Sequence, residues 1–77
     1  MIMDDETLIE FVRDTLGVEN ATSETKLFST GLLDSVSMVN LIAFMEQSIG
    51  MVVRPEDVTL DNFDTPRRIL HFSQAMA

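Results

Sequence analysis

The sequence predicts an all-α fold, a small antiparallel bundle of three main helices and one short one. Three observations predict it. Two segments carry apolar residues at helical spacing, and each runs into a glycine, Gly17 and Gly50. A third apolar segment follows Thr65-Pro66, a helix-start signature. The run "MVVRPEDVT" is strand-like in composition, but Pro55 and the acids after it turn it into a loop, so no convincing strand pair remains.

The opening helix is expected from about Asp4 to Leu16. Leu8, Ile9, Phe11, Val12 and Leu16 fall on one face, and Glu6, Glu10, Arg13 and Asp14 on the other. Asp4, Asp5 and Glu6 suit the positive end of the helix dipole. Glu6 to Glu10 and Glu10 to Asp14 are like-charge pairs at i,i+4, which cost about 0.2–0.5 kcal/mol each. An ordinary solvated face accounts for them; a partner-facing acidic face is the alternative.

Residues 18–34 lack sustained periodicity. "NATSET" is polar, and Thr30-Gly31 marks a turn. Leu27, Phe28, Leu32 and Leu33 are apolar, so this loop is expected to pack over a core. Loops of this length in small domains are uncommon unless functional.

The second helix is expected from about Ser35 to Ile49, ended by Gly50. Successive residues placed 100° apart give two apolar lobes. Met38, Leu41, Ile42, Met45 and Ile49 form the wide one, which must face the core. Val36, Val39 and Ala43, bordered by Glu46, form a narrow one, which is either more core or an exposed docking strip. Ser37, Asn40, Gln47 and Ser48 occupy a polar arc, with Phe44 oddly placed inside it.

"LDNF" allows one helical turn. "DTPRRILHFSQAM" is then the last helix, capped by Asp64 or Thr65, with Pro66 in its first turn. Ile69, Leu70, Phe72 and Met76 line one side; Arg67, Arg68, His71 and Gln74 line the other. His71 reads as an ordinary surface residue.

Residues 1–77 make one domain. A chain this small buries only about 60% of its unfolded surface. There is no cysteine and a single histidine, which excludes disulfides and thiolate metal sites and disfavours a His-based metal site or triad. Thirteen acids against five bases give a formal net charge of −8, which disfavours nucleic acid because phosphate contacts need Lys and Arg. Hydrophobic residues make up 45% of the chain, too many for a disordered acidic tail. No apolar run approaches the ~18 residues of a membrane span, and no basic leader precedes an apolar segment, so the chain reads as cytoplasmic. None of GxGxxG, a P-loop, HExxH or GxSxG is present, and no enzyme constellation appears. Asp61, Asn62 and Asp64 lack the spacing, glycine and terminal glutamate of a calcium loop. The six methionines then read as gap-filling core.

Ser35 is left. Asp and Ser are both good N-caps, worth about 1 kcal/mol, so "DS" before an apolar helix has a purely structural reading. It also has a functional one. A serine at a helix N-terminus just after a glycine-containing turn is exposed, and a phosphate attached there meets the positive end of the dipole.

The wider pattern decides between them. "LFSTGLLDSVSMVNLIAFMEQSIGMVV" resembles the acyl and peptidyl carrier protein family: a Leu-Phe and Gly lead-in, Asp-Ser, an apolar helix with a Glu near its end, Ile-Gly, and a short hydrophobic run. "PEDVTLDNFDTPRRI" resembles the family's short third helix and Thr-initiated fourth. The resemblance covers nearly the whole chain.

It implies an acyl-carrier-like four-helix bundle with a long first loop. It implies that Ser35 receives 4′-phosphopantetheine from coenzyme A through a Mg²⁺-dependent transferase, with Asp34 supporting recognition and modification. Acyl or aminoacyl groups would ride as thioesters on the arm, so the protein needs no cysteine and is not itself an enzyme. Expected partners are the phosphopantetheinyl transferase and the loading and processing enzymes of fatty-acid, polyketide, nonribosomal-peptide or related biosynthesis, met by a monomer. The partner-contacting positions, carried over one at a time, fall on Val36, Val39, Ala43 and Glu46, which favours docking for the narrow lobe.

Two features depart from the fatty-acid-synthesis form of the family. Two leucines separate Gly31 from Asp34, and Val36 follows the serine. Glu46 is the only acid between Ser35 and Gly50. "GLLDS" with "DNFDT" looks more like standalone aminoacyl carriers, such as the D-alanine carrier family, or specialised-pathway acyl carriers. A helical interaction module without a prosthetic group is the alternative from another class.

Overall fold

The computed structural model describes residues 4–50 and 52–76. Its elements are α1 (Asp5–Asp14), α2 (Ser35–Ile49), a 3₁₀ turn (Pro55–Asp57), α3 (Leu60–Phe63) and α4 (Pro66–Met76). The described residues contain no strand. The all-helical bundle expected from the sequence is the fold observed.

α1 starts where Asp4 Oδ1 accepts the Thr7 N–H at 2.8 Å, with Asp5 and Glu6 in the first turn. It ends at Asp14, slightly short of the expected Leu16, because the Thr15 and Leu16 N–H groups both turn back to the Phe11 carbonyl. Leu8 and Val12 are fully buried; Ile9, Phe11 and Leu16 are half-buried at the edge of the same face.

α2 has the expected bounds. Gly50 caps it at φ +69, the left-handed region that only glycine enters without strain, and returns its N–H to Glu46 O. Leu41 and Met45 are buried and Met38, Ile42 and Ile49 half-buried, so the wide lobe faces the core. The polar arc is not uniformly wet. Ser48 is only 4% exposed, and Phe44 stacks on Phe11 of α1, ring centroids 4.0 Å apart. A helix with neighbours on several sides has no single solvent face, and that places both residues.

Val52 and Val53 continue as loop rather than strand. The 3₁₀ turn that follows is braced by Arg54 against Asp57 at 3.3 Å. Thr59 Oγ1 caps α3 through the Asn62 N–H. Phe63 of α3 is fully buried and tilts against Phe72 of α4, centroids 5.3 Å apart. Thr65, not Asp64, caps α4, its Oγ1 accepting the Arg68 N–H. Ile69 and Phe72 enter the core, whereas Met76, expected on that side, is exposed near the helix end.

The segment 18–34 is irregular but anchored. Ala21, Leu27 and Leu33 are buried in the same core as the helices, and Phe28 packs at its edge. Burying a leucine contributes about 1.5–3 kcal/mol, while ordering each residue costs about 1–2 kcal/mol. Three buried side chains therefore do not hold the whole loop. Hydrogen bonds add further ties, Arg13 Nε to Ala21 O at 2.9 Å and the Arg67 N–H to Ser23 O at 3.0 Å, beside an exposed Arg67–Glu24 ion pair at 2.7 Å.

Candidate functional site

The site lies where this loop meets α2. Asp34 has extended backbone geometry, and its Oδ1 accepts the Ser37 N–H at 3.0 Å, while its carbonyl accepts the Met38 N–H at 3.1 Å. Asp34 is therefore the N-cap, and Ser35 is the first helical residue. The sequence allowed either residue as the cap. With Asp34 in that role, the Ser35 hydroxyl has no capping duty. Asp34, Ser35 and Val36 are all exposed. The Ser37 N–H holds the Asp34 carboxyl below the usual carboxylate range, outweighing partial desolvation, and the Ser37 side chain adds to the effect.

The approach to Ser35 is fixed by alternating anchors. Leu33 is buried, and its N–H donates to Leu27 O at 2.9 Å, closing residues 28–32 into a compact turn. Inside that turn the Gly31 N–H donates to Phe28 O at 3.1 Å, and Thr30 Oγ1 donates to Lys26 O at 2.7 Å. Gly31 sits at φ +79 with open space where a side chain would stand. Leu32, expected to pack inward, is 56% exposed and lines an open cleft of about 420 Å³ with Leu16, Val18 and Glu19 among its walls. Leu33 is buried while its neighbour Leu32 faces solvent.

Asp64 completes the arrangement from the far end of the sequence. Its Oδ1 accepts the Phe28 and Ser29 N–H groups, both at 2.9 Å, and its Oδ2 accepts the Ser29 hydroxyl at 2.7 Å. Its carbonyl accepts the Leu27 N–H at 2.6 Å. Asp64 is only 3% exposed. Burial pushes its carboxyl up, but the Ser29 and Phe28 donors and the nearby Arg68 charge outweigh it and hold the group below the ordinary 3.8. The sequence placed Asp64 among helix-cap candidates. No local pattern shows that its partners lie 35 and 36 residues earlier.

The narrow lobe of α2 lies outside the core. Val36 is 66% and Val39 64% exposed, and Ala43 is exposed beside them. Glu46, at the end of this strip, is half-buried, and its Oε2 accepts the Val53 N–H at 2.9 Å. Its carboxylate is thus engaged in holding the turn after α2. Among the described residues, no group of three or more His, Asp or Glu side chains is disposed to hold a metal ion, and no helix is long and apolar enough to cross a membrane.

An exposed serine at the first position of a helix, with no capping role, fits covalent attachment of an anionic group. Comparison with known proteins points the same way. The family model described as "Phosphopantetheine attachment site" matches residues 6–72. A D-alanyl carrier protein of Abiotrophia defectiva is 35% identical over 63 residues, 82% of this chain and 71% of its own length. One from Enterococcus faecalis is 29% identical over 73 residues, covering 92% of this chain and 94% of its own. D-alanyl carrier protein 2 of Lactiplantibacillus plantarum is 29% identical over 73 residues, 91% of each chain. Proteins of this kind bear covalently attached 4′-phosphopantetheine and are not themselves enzymes. With a match that runs from α1 to the body of α4, the chain belongs to the phosphopantetheine-attachment family of carrier proteins.

Proposed function

We propose that Ser35 is the attachment residue and that the chain carries acyl or aminoacyl groups between enzymes. The observation that carries this reading is the exposed Ser35 hydroxyl at the start of α2, freed from capping by Asp34. When bound, the prosthetic group supplies a terminal thiol that holds cargo as a thioester. The chain's own residues present and orient the attachment oxygen. In the transfer, Ser35 Oγ would give up its proton and take the phosphopantetheine phosphate of coenzyme A, whose pyrophosphate P–O bond breaks to release adenosine 3′,5′-bisphosphate. The N-terminal end of α2 favours the negative charge that results. Asp34 keeps the first turn of the helix closed, so that oxygen stays on a rigid element. Val36, Val39 and Ala43 form an apolar strip beside it on which transferase and loading enzymes dock, with Glu46 at its margin.

The relatives' names favour a small aminoacyl cargo, D-alanyl among them. The single acid on α2 agrees with a carrier whose partners read an apolar strip rather than a row of charges. The protein acts as a monomer in the cytoplasm on this reading.

The test is incubation with coenzyme A, Mg²⁺ and a broad-specificity transferase, followed by intact mass. Wild type gains the phosphopantetheine mass and Ser35→Ala does not. Gain on both proteins moves the site elsewhere. Partner binding with no gain on wild type favours a scaffold without a prosthetic group. Presenting the loaded-ready protein to a D-alanine-activating enzyme and to a fatty-acyl-activating enzyme then separates the cargo classes.

A further inference from the structure

We propose that Asp64 is a positioning residue for the modification of Ser35, acting through the loop that precedes it; the proposal rests on Ser35 being the attachment site.

The route is continuous in hydrogen bonds. Asp64 fixes three consecutive residues, taking the Leu27 N–H on its carbonyl and the Phe28 and Ser29 N–H groups on its carboxylate. The Ser29 hydroxyl adds a fourth bond at 2.7 Å. Leu27 passes the constraint on, because its carbonyl accepts the Leu33 N–H. Leu33 is the buried residue immediately before the Asp34 cap, and Ser35 follows. Both ends of the 28–32 turn are thereby referred to one buried residue, the Phe28–Ser29 end through its carboxylate and the Leu27–Leu33 end through its carbonyl.

The energetic case favours Asp64 over the other ties. Hydrogen bonds to an ionised acceptor are roughly twice as strong as neutral ones, and Asp64 accepts three on its carboxylate while almost wholly removed from water. The Glu24–Arg67 pair, by contrast, is exposed on both sides and weak. Asp64 is itself held rigidly. It closes α3 by donating its N–H to Leu60 O, and it stands between the fully buried Phe63 and the Thr65 cap of α4. The seat of Ser35 is thus referenced to the α3–α4 joint rather than to α2 alone.

The experiment compares wild type, Asp64→Ala, Asp64→Asn, Ser29→Ala and Ser35→Ala at a temperature where circular dichroism shows each folded. Carrier-dependent kcat/KM for phosphopantetheine transfer and residue-resolved amide exchange are both measured. Asp64→Ala should lower kcat/KM about ten-fold or more, with kcat falling too, since small misplacements of a reacting group carry costs of that order. Its amide exchange should quicken at Phe28, Ser29 and Leu33, with Leu8 and Val12 of α1 unchanged. Asp64→Asn can still accept the two N–H bonds and donate to Ser29 Oγ, so it should restore most of the rate. Ser29→Ala should lower the rate by a smaller factor and loosen the same amides. Transfer to folded Asp64→Ala at the wild-type kcat/KM overturns the proposal, as does exchange that quickens equally throughout α1. Should Asp64→Ala fail to fold, Ser29→Ala decides: unchanged rate and unchanged exchange overturn it. Absence of modification on wild type is a different failure, that of the attachment reading itself.

Discussion

Phe11 and Phe44 lie face to face, ring centroids 4.0 Å apart and planes 15° from parallel, and this stack joins α1 to α2. Both rings are half-buried, so the contact seals the edge of the core rather than its centre. Phe44→Ala should therefore cost about 2 kcal/mol, below the 3–5 typical of a fully buried ring. A double-mutant cycle with Phe11→Ala, read by urea unfolding, should give a coupling of about 1 kcal/mol. Strict additivity would mean that the rings contribute only as separate apolar surfaces.

Acid stability should report on Asp64. Its carboxyl titrates below the ordinary 3.8 in the folded protein, because the Ser29 and Phe28 donors and Arg68 overcome the opposing effect of burial. A depressed carboxyl contributes stability that is present above the unfolded pKa and is lost as pH falls through the folded value. The stability gap between wild type and Asp64→Asn should hold steady above about pH 5 and narrow below it. Urea unfolding at stepped pH measures the gap. A gap that widens on acidification would contradict the assignment.

The apolar strip on α2 makes an independent prediction. Val39 is exposed, so Val39→Asp should change stability by no more than about 0.5 kcal/mol. The same change places a charge in the proposed docking strip and should slow both phosphopantetheine transfer and loading. Thermal melts and transfer rates on one preparation separate the effects. A large loss of stability would instead make Val39 part of the core.

Much of this molecule is legible in its sequence because its helices announce themselves locally. Asp4, Asp34 and Thr65 precede apolar periodicity, and Gly50 follows it, so bounds and faces follow from short-range rules. The Asp34-Ser35 pair and its setting also mark a candidate site before any fold is known. What escapes is long-range. Leu32 and Leu33 are chemically equal, and only the bond from Leu33 to Leu27 selects which one turns inward. Phe44 looks misplaced until Phe11 is found opposite it. Asp64 resembles any helix-flanking acid, and its role depends on residues that no periodicity connects to it. Glu46 is marked by family pattern as a partner-contacting acid, yet the backbone of Val53 donates to its carboxylate.

The Asp64 clamp also imposes an order in time. A chain synthesised from its N-terminus delivers Leu27, Phe28 and Ser29 well before the residue that fixes them, which follows 35 positions after Ser29. Until that residue emerges and α4 can dock, the turn before Ser35 has no anchor for those N–H groups. A nascent chain that already displays Ser35 thus still lacks the Asp64 bonds to the turn before it. If Ser35 is the attachment site as proposed, the clamp would make readiness for modification a late event, gated by completion of the fold.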